Sequence, residues 1–295
     1  MIQITDEELM KELKRRFEEN RRTVFELNSL NKILTKVNDK LSEAEAMKSH
    51  FISNISNEIV NPFASILGLS KGILEAEKES WKKVISMVSL IHTEAFNLDF
   101  QFKNIFSAAR IEAGEVSVEA TTVDIPGIID ELIESFKYES KRKKLTVVKV
   151  LDSKLKDALT FKTDAGKLKL MLSNLLSNAI KFSFEEGIVE IECSKNVNTL
   201  VIQVRDYGKG ISKDNQEIIF DRFKKLDSGI NSINRGHGLG LSIVKAFIDL
   251  LEGSIDVKSS PGKGSAFKIT IPESEGIAEG LSLNSNEVFF EEDMH

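Results

Sequence analysis

The chain of 295 residues holds four prolines, and the first of them is Pro62. So long a stretch without the residue that breaks helix interiors constrains the fold more than any other feature. Thr5 with Glu8 fits a capping box that opens a helix. Beyond it, Leu30, Leu34, Val37, Leu41, Ala44 and Phe51 keep 3-4 spacing, interrupted only by Lys48. That is a coiled-coil seam. Met10, Leu13, Phe17, Val24 and Leu27 make an earlier seam. From Val24 through Leu27 to Leu30 the pattern takes two successive steps of three, so the register shifts there. The shift is either a local irregularity or a phase break through which twist upstream alters packing downstream.

A second helical pattern runs from about Lys78 to Ala113, with Trp81, Val84, Leu90, Ile91, Leu98, Phe102, Ile105 and Ala109 on one stripe. Gly114 is its stop. The short polar "EAEKES" between the two patterns predicts an antiparallel hairpin. One hairpin cannot bury both stripes. Two copies can, as a four-helix bundle, so the pattern predicts a homodimer. From about Thr122 helical patterns (125–140, 164–183 and 238–251) alternate with the β-branched runs "LTVVKVL", "GIVEIECS", "TLVIQVRD", "GSIDVKS" and "SAFKITI". These predict an α/β sandwich with a mixed sheet. The expected organisation is a signalling coiled coil (1–47), a helical hairpin (48–114), a linker (115–121), an α/β domain (122–272) and an acidic mobile tail (273–295). "EVFFEE" in the tail is a candidate contact segment.

Composition excludes some classes of function. An apolar fraction of 41% with 29% charged residues suits a soluble globular chain. A net charge of -6 argues against nucleic acid as a partner, since phosphate-neutralising proteins are usually basic. The single cysteine, Cys193, excludes an internal disulfide and a CxxC metal site, and suits a reducing cytosol. No run of about 18 apolar residues is present to span a bilayer, and no signal peptide precedes the helices. The expected location is cytoplasmic, free or as the cytosolic part of a larger membrane-attached sensor.

The most informative residues lie in the second half. "NLLSNAIKFS" sets Asn174 and Asn178 four apart on one helical face, with Lys181 a turn further. An amide oxygen is a hard ligand suited to Mg2+, which takes its other ligands from water and phosphates. A nearby lysine meets a phosphate as a point charge. "RDYGKG" ends a strand with Asp206, then Gly208 and Gly210. A carboxylate there can accept an amino proton from adenine, and it repels the oxygen that guanine presents. The glycines allow a tight turn and close approach of backbone to a base. "RGHGLGLSIVKAFIDLLEG" is a glycine-rich turn entering an amphipathic helix, whose free N–H groups and dipole can hold an anion such as a triphosphate. Between them "IIFDRFKKLDSGINSINRG" reads as a lid that orders on nucleotide.

In this order the motifs resemble the N, G1, F and G2 boxes of the sensor histidine kinase catalytic domain, which shares its nucleotide fold with Hsp90, gyrase B and MutL. The resemblance spans about residues 40–272. It implies a GHKL-type ATP-binding domain with ATP and Mg2+ as cofactors. Asn178 is then the chief Mg2+ ligand with Asn174 beside it, and Asp206 the adenine reader. Phe220 and Phe223 are the F-box pair, and Gly236, Gly238, Leu239 and Gly240 form the phosphate-binding turn. The segment offers no glutamate to activate water, as a chaperone- or topoisomerase-type ATPase would require.

The stretch "FISNISNEIVNPFASILGL" then resembles the H box of the same family, where the pattern is histidine, acid, two variable residues, threonine or asparagine, and proline. Here it reads Asn57-Glu58-Ile59-Val60-Asn61-Pro62, so all matches except the histidine. In active members the acid draws a proton from the imidazole, whose freed nitrogen attacks the γ-phosphorus. Glu58 is present for that task, but the delocalised amide nitrogen of Asn57 is no nucleophile. His50, His92 and His237 lack the acid-then-asparagine neighbourhood. Asn57 is either natural, in a pseudokinase that scaffolds or dephosphorylates a partner, or a replacement of the acceptor histidine. By the resemblance, Asn61 orients a water against the aspartyl-phosphate of a response regulator receiver domain, a reaction that needs no histidine. Pro62 removes the helix hydrogen bond to the Glu58 carbonyl.

Overall fold

The computed structural model describes residues 6–77, 80–152, 159–223 and 238–274. Outside them lie the Thr5 cap, Lys78, most of the lid, Gly236, His237 and the tail with "EVFFEE". The chain divides into two compact units, Met1–Asn54 and Ile55–His295.

In the first unit the backbone is one helix, part of α1 (Asp6–Leu74). Arg15 and Arg16 both pair with Glu12 on its surface. The described residues of both expected seams stand open to solvent: Phe17 is 72% exposed and Leu34 68% exposed.

The second unit begins with the rest of α1, which continues helical through Pro62. α2 (Trp81–Ala113) stops where the sequence predicts, at Gly114. That glycine takes a left-handed φ of 70° and donates to the Ile111 carbonyl, while Glu115 donates to Arg110. A small antiparallel sheet pairs β1 (Ala120–Asp124) with β3 (Thr160–Asp164). The five-stranded sheet has the order β2-β4-β5-β7-β6, from β2 (Thr146–Leu151), β4 (Ile188–Asn196), β5 (Thr199–Asp206), β7 (Ser265–Pro272) and β6 (Ser254–Ser259). β2 and β4 run parallel and the other neighbours antiparallel, so the sheet is mixed as expected.

The helices α3 (Ile125–Ser135), α4 (Lys137–Arg142), α5 (Ala165–Phe182) and α6 (Gly240–Leu250) complete the unit. Its core joins Ile125, Ile129 and Leu132 of α3 to Leu168, Met171, Leu175 and Leu176 of α5 and Ile243, Val244 and Ile248 of α6. The alternate residues Val189, Ile191, Leu200, Ile202, Val204, Ile269 and Ile271 supply the sheet side. Full burial of each such side chain stabilises by roughly 1.5–3 kcal/mol. The other face of the sheet is polar, with Gln203 bonded to Glu192 and the Tyr207 hydroxyl donating to Glu190. Cys193 on β4 is buried, which pushes its thiol up to about 12 and leaves it chemically inert.

Two expectations need correction. The helix expected over 125–140 is broken at Phe136, whose ring is buried edge-on to Phe96 and Phe100 of α2. Tertiary packing overrides the continuous helical pattern there. The expected linker 115–121 also contains the start of β1, which pairs with β3 some forty residues later in the chain. Among the described residues, no helix is long and apolar enough to cross a membrane.

Candidate functional site

The site is built on α5. Asp164 ends β3 and caps the helix, its Oδ1 accepting from the Lys167 N–H at 2.9 Å while its Oδ2 pairs with the Lys167 ammonium. The buried face of α5 is mostly apolar, yet Asn174 lies within it and is 4% exposed. Such an amide must find partners. Its Nδ2 donates to Asn104 Oδ1 of α2 at 2.7 Å and to the Leu170 carbonyl at 2.9 Å. Its Oδ1 lies against the first turn of α6, where a Cβ added to Gly240 would come within 2.5 Å of it. Gly240 is therefore glycine for close approach.

Asn178 is one turn further along, half-buried, and its side chain makes no hydrogen bond among the described residues. Its amide oxygen remains available as a hard ligand, so the donor chemistry fits a Mg2+ ion that completes its shell from phosphate and water. Among the described residues no cluster of carboxylates, histidines or cysteines forms an all-protein metal cage. Lys181 is half-buried, with its ammonium 5.1 Å from the Phe182 ring centroid.

The C-terminal end of α5 abuts the turn after β5. A Cβ on Gly208 would run into the Phe182 carbonyl oxygen, which also accepts from the Lys209 N–H at 3.1 Å. Asp206, 4% exposed, closes β5 and accepts from the Gly208 N–H at 2.9 Å. Burial pushes its carboxyl above the usual range, opposed by hydrogen bonds from Gly208 and from the backbone and side chain of Ser265. The turn is stitched to the β6–β7 connection. Ile211 donates to Ser259 Oγ at 2.7 Å, and Gly262 donates to the Lys209 carbonyl at 2.7 Å. Gly210 has φ 68°, and a Cβ there would meet the Ser260 carbonyl.

α6 starts at the buried Leu239, which provides no side-chain cap, so the first-turn N–H groups keep their capacity to bind an anion. Gly238 has φ 72°, and its carbonyl accepts from Phe223, itself at φ 65°. Phe220 is half-buried at the end of a 3-10 turn, Ile218–Phe220. The structure thus brings Asn174, Gly240, Phe182 and Gly208 into one continuous arrangement, with Asp206 behind it.

It does not bring the first helix into that arrangement. Asn57 and Glu58 lie on the α1 backbone, and their side chains fall outside the described ones. Asn61 is exposed, with no hydrogen bond to α5 or α6 among the described residues. Pro62 beside it is buried. His92 is exposed on α2.

Sequence reasoning missed three contributors. Ser265 bonds Asp206, and Gly264 at φ 77° passes so close to the Asp206 carbonyl that a Cβ would collide with it. The "PGKGS" turn before the last strand was the available signal for both. Asn104 supports Asn174, and an asparagine between the aromatics of "FQFKNIF" could have marked it.

The sequence model of the family described as histidine kinase-, DNA gyrase B-, and HSP90-like ATPase matches residues 163–275. The sensor histidine kinase TmoS of Ectopseudomonas mendocina is 30% identical over 235 residues, covering 79% of this chain and 24% of its own length. Sensor protein SrrB of Staphylococcus aureus (strain MRSA252) is 28% identical over 245 residues, covering 82% of this chain and 41% of its own. The chain spans less than half the length of these curated relatives. The solved structure of full-length ShkA in complex with AMPPNP superposes with a TM-score of 0.54 and 24% identity, over 79% of this chain and 47% of that one. That likeness is one of fold. With α5, the Asp206 turn and the α6 entry all inside the matched span, residues 163–275 form a domain of the histidine kinase-, DNA gyrase B-, and HSP90-like ATPase family, and over most of its length the chain is similar to sensor histidine kinases.

Proposed function

We propose that the chain binds Mg·ATP between α5, the Asp206 turn and the start of α6, and serves as the homodimeric phosphotransfer core of a two-component system. The observation that carries this reading is the convergence of α5 on both glycine turns, Asn174 against Gly240 and the Phe182 carbonyl against Gly208. Asp206 accepts the adenine amino proton, and the α6 N–H groups and Lys181 take phosphate oxygens. A Mg2+ ion held by Asn178 would neutralise phosphate charge. Magnesium and ATP titrated calorimetrically into the chain should give a saturable heat. Its absence would remove the nucleotide reading.

The parent activity is autophosphorylation at position 57 and transfer to an aspartate on a response regulator receiver domain. The lone pair on the Asn57 amide nitrogen is delocalised and does not attack the γ-phosphorus, so this chain binds ATP without phosphorylating itself. Asn57→His with labelled ATP should gain acid-labile label, which the unchanged chain lacks. Silence in both favours the second reading, a natural pseudokinase that scaffolds or dephosphorylates its regulator. Under either reading Asn61, exposed on α1, is the residue that orients a water against the regulator's aspartyl-phosphate. Asn61→Ala should abolish any hydrolysis of that phosphate which the chain stimulates. Unchanged hydrolysis would remove that assignment.

A further inference from the structure

A helix leaves its last carbonyls without intrahelical donors, and a buried helix end must find donors elsewhere. At the end of α5 each one is accounted for. The Ala179 carbonyl accepts from the Ser183 N–H and hydroxyl, at 3.0 and 2.7 Å. The Phe182 carbonyl accepts from Lys209. The carbonyls of Ile180 and Lys181, with that of Ser183 just beyond, converge on one group, the ammonium of Lys143, at 3.0, 2.6 and 3.0 Å.

The three N–H bonds of that ammonium meet three carbonyls, a set that no neutral side chain can supply. Its charge also faces the negative end of the helix dipole. Lys143 is itself fixed. Its N–H donates to the Glu139 carbonyl, its own carbonyl accepts from the Glu186 N–H at 3.1 Å, and Lys144 turns the chain at φ 55°. Burial lowers its pKa, so the contact is kept against a desolvation cost.

The turn that Lys143 holds is the one from which the nucleotide residues project. Asn178 and Lys181 lie on it or next to it, and its Phe182 carbonyl presses on Gly208. We infer that Lys143 is a positioning residue of the nucleotide site, acting through the C-terminal turn of α5 and not by touching nucleotide. The inference rests on the proposed ATP reading.

The test compares the full-length chain with Lys143→Met, Lys143→Arg and the control Lys149→Met, which breaks only the surface pair with Asp130. Mg·ATP affinity is measured by calorimetry at a temperature where circular dichroism shows each protein folded. The Met variant should bind about tenfold more weakly, the low end for removing a group directly behind a binding residue, and Arg should recover part of the loss. The control should bind as the parent does. A merely structural cap would lower the melting temperature and leave the affinity of the folded protein within about twofold, and that result overturns the inference. If the Met variant does not fold, Lys143→Gln, with two uncharged donors, is read in the same two ways. A parent chain that itself gives no heat overturns the ATP reading and this inference with it. A binding parent with equally binding variants overturns this one alone.

Discussion

A buried carboxylate at the end of β5 costs the fold free energy, and the proposed nucleotide site would put that cost at Asp206 to use. Its pKa is raised by burial, so the folded state holds the proton more tightly than the unfolded chain does. The stability it confers is greatest below the unfolded value and is lost as pH rises through the folded one. Recognition of an adenine amino group needs the other form, since only the ionised carboxylate has every oxygen lone pair free to accept. Asp206→Asn should therefore raise the melting temperature of the nucleotide-free chain at neutral pH. It should also weaken ATP at least tenfold, as expected on losing a hydrogen bond to a charged group worth about 1.5–3 kcal/mol. Parent affinity should fall as pH drops through the raised pKa, and the Asn variant should lose that dependence. A melt and a calorimetric pH series check both. That Asp206 ends a strand and that Gly208 and Gly210 turn the chain was legible, because turn geometry shows in residue type. The partners of Ser265 and Asn104 were not, because they lie 59 and 70 positions away.

Among the elements, those with strong periodicity were read closely and the short ones were not. β5 is Thr199–Asp206, matching "TLVIQVRD", and Gly114 ends α2 as its place after an apolar stripe implies. β1 and β3 have five residues each, too few for alternation to register, and each makes sense only beside the other. The break at Phe136 was hidden because an apolar residue fits the helical pattern equally well whether it continues a helix or anchors its end. That anchor sets α4 against α2, with a consequence for Glu139. Both of its carboxylate oxygens are buried, and desolvation raises its pKa against the opposing hydrogen bond from its own backbone N–H. The charged groups around it are Arg142 on its own helix and His92 and Glu94 on α2. A raised folded pKa again means that stability is lost as pH rises through it. Glu139→Gln should raise the melting temperature at neutral pH, and the gain should shrink on acidification as the parent carboxyl takes its proton. A variant no more stable at pH 7 than the parent would show that the buried charge is already compensated.

At the scale of the whole molecule the question is what covers the apolar surface that one chain leaves open. In the first unit Leu13, Leu27, Leu30, Leu34, Val37 and Leu41 are each more than half exposed on a single helix. An isolated helix has no tertiary burial to offset its entropy and is marginal in water. In the second unit Val60, Phe63, Leu67, Trp81 and Phe106 are likewise more than half exposed on α1 and α2. Patches of this kind on a soluble protein mark an interface. A second copy is the economical partner, because a two-fold axis along the helices sets each stripe against its own likeness. Each Leu or Val buried in the seam returns about 1.5–3 kcal/mol, against an association cost of about 4–15 kcal/mol. A few seam positions therefore decide the outcome. Light scattering after size exclusion should give twice the chain mass. Leu34→Asp with Leu41→Asp should raise the dimer dissociation constant by at least about tenfold, since each aspartate replaces burial with a charge that needs water. If the double variant dimerised as tightly as the parent, the upstream seam would be no part of the interface. A parent that ran as a monomer would leave the proposed phosphotransfer core without its four-helix bundle.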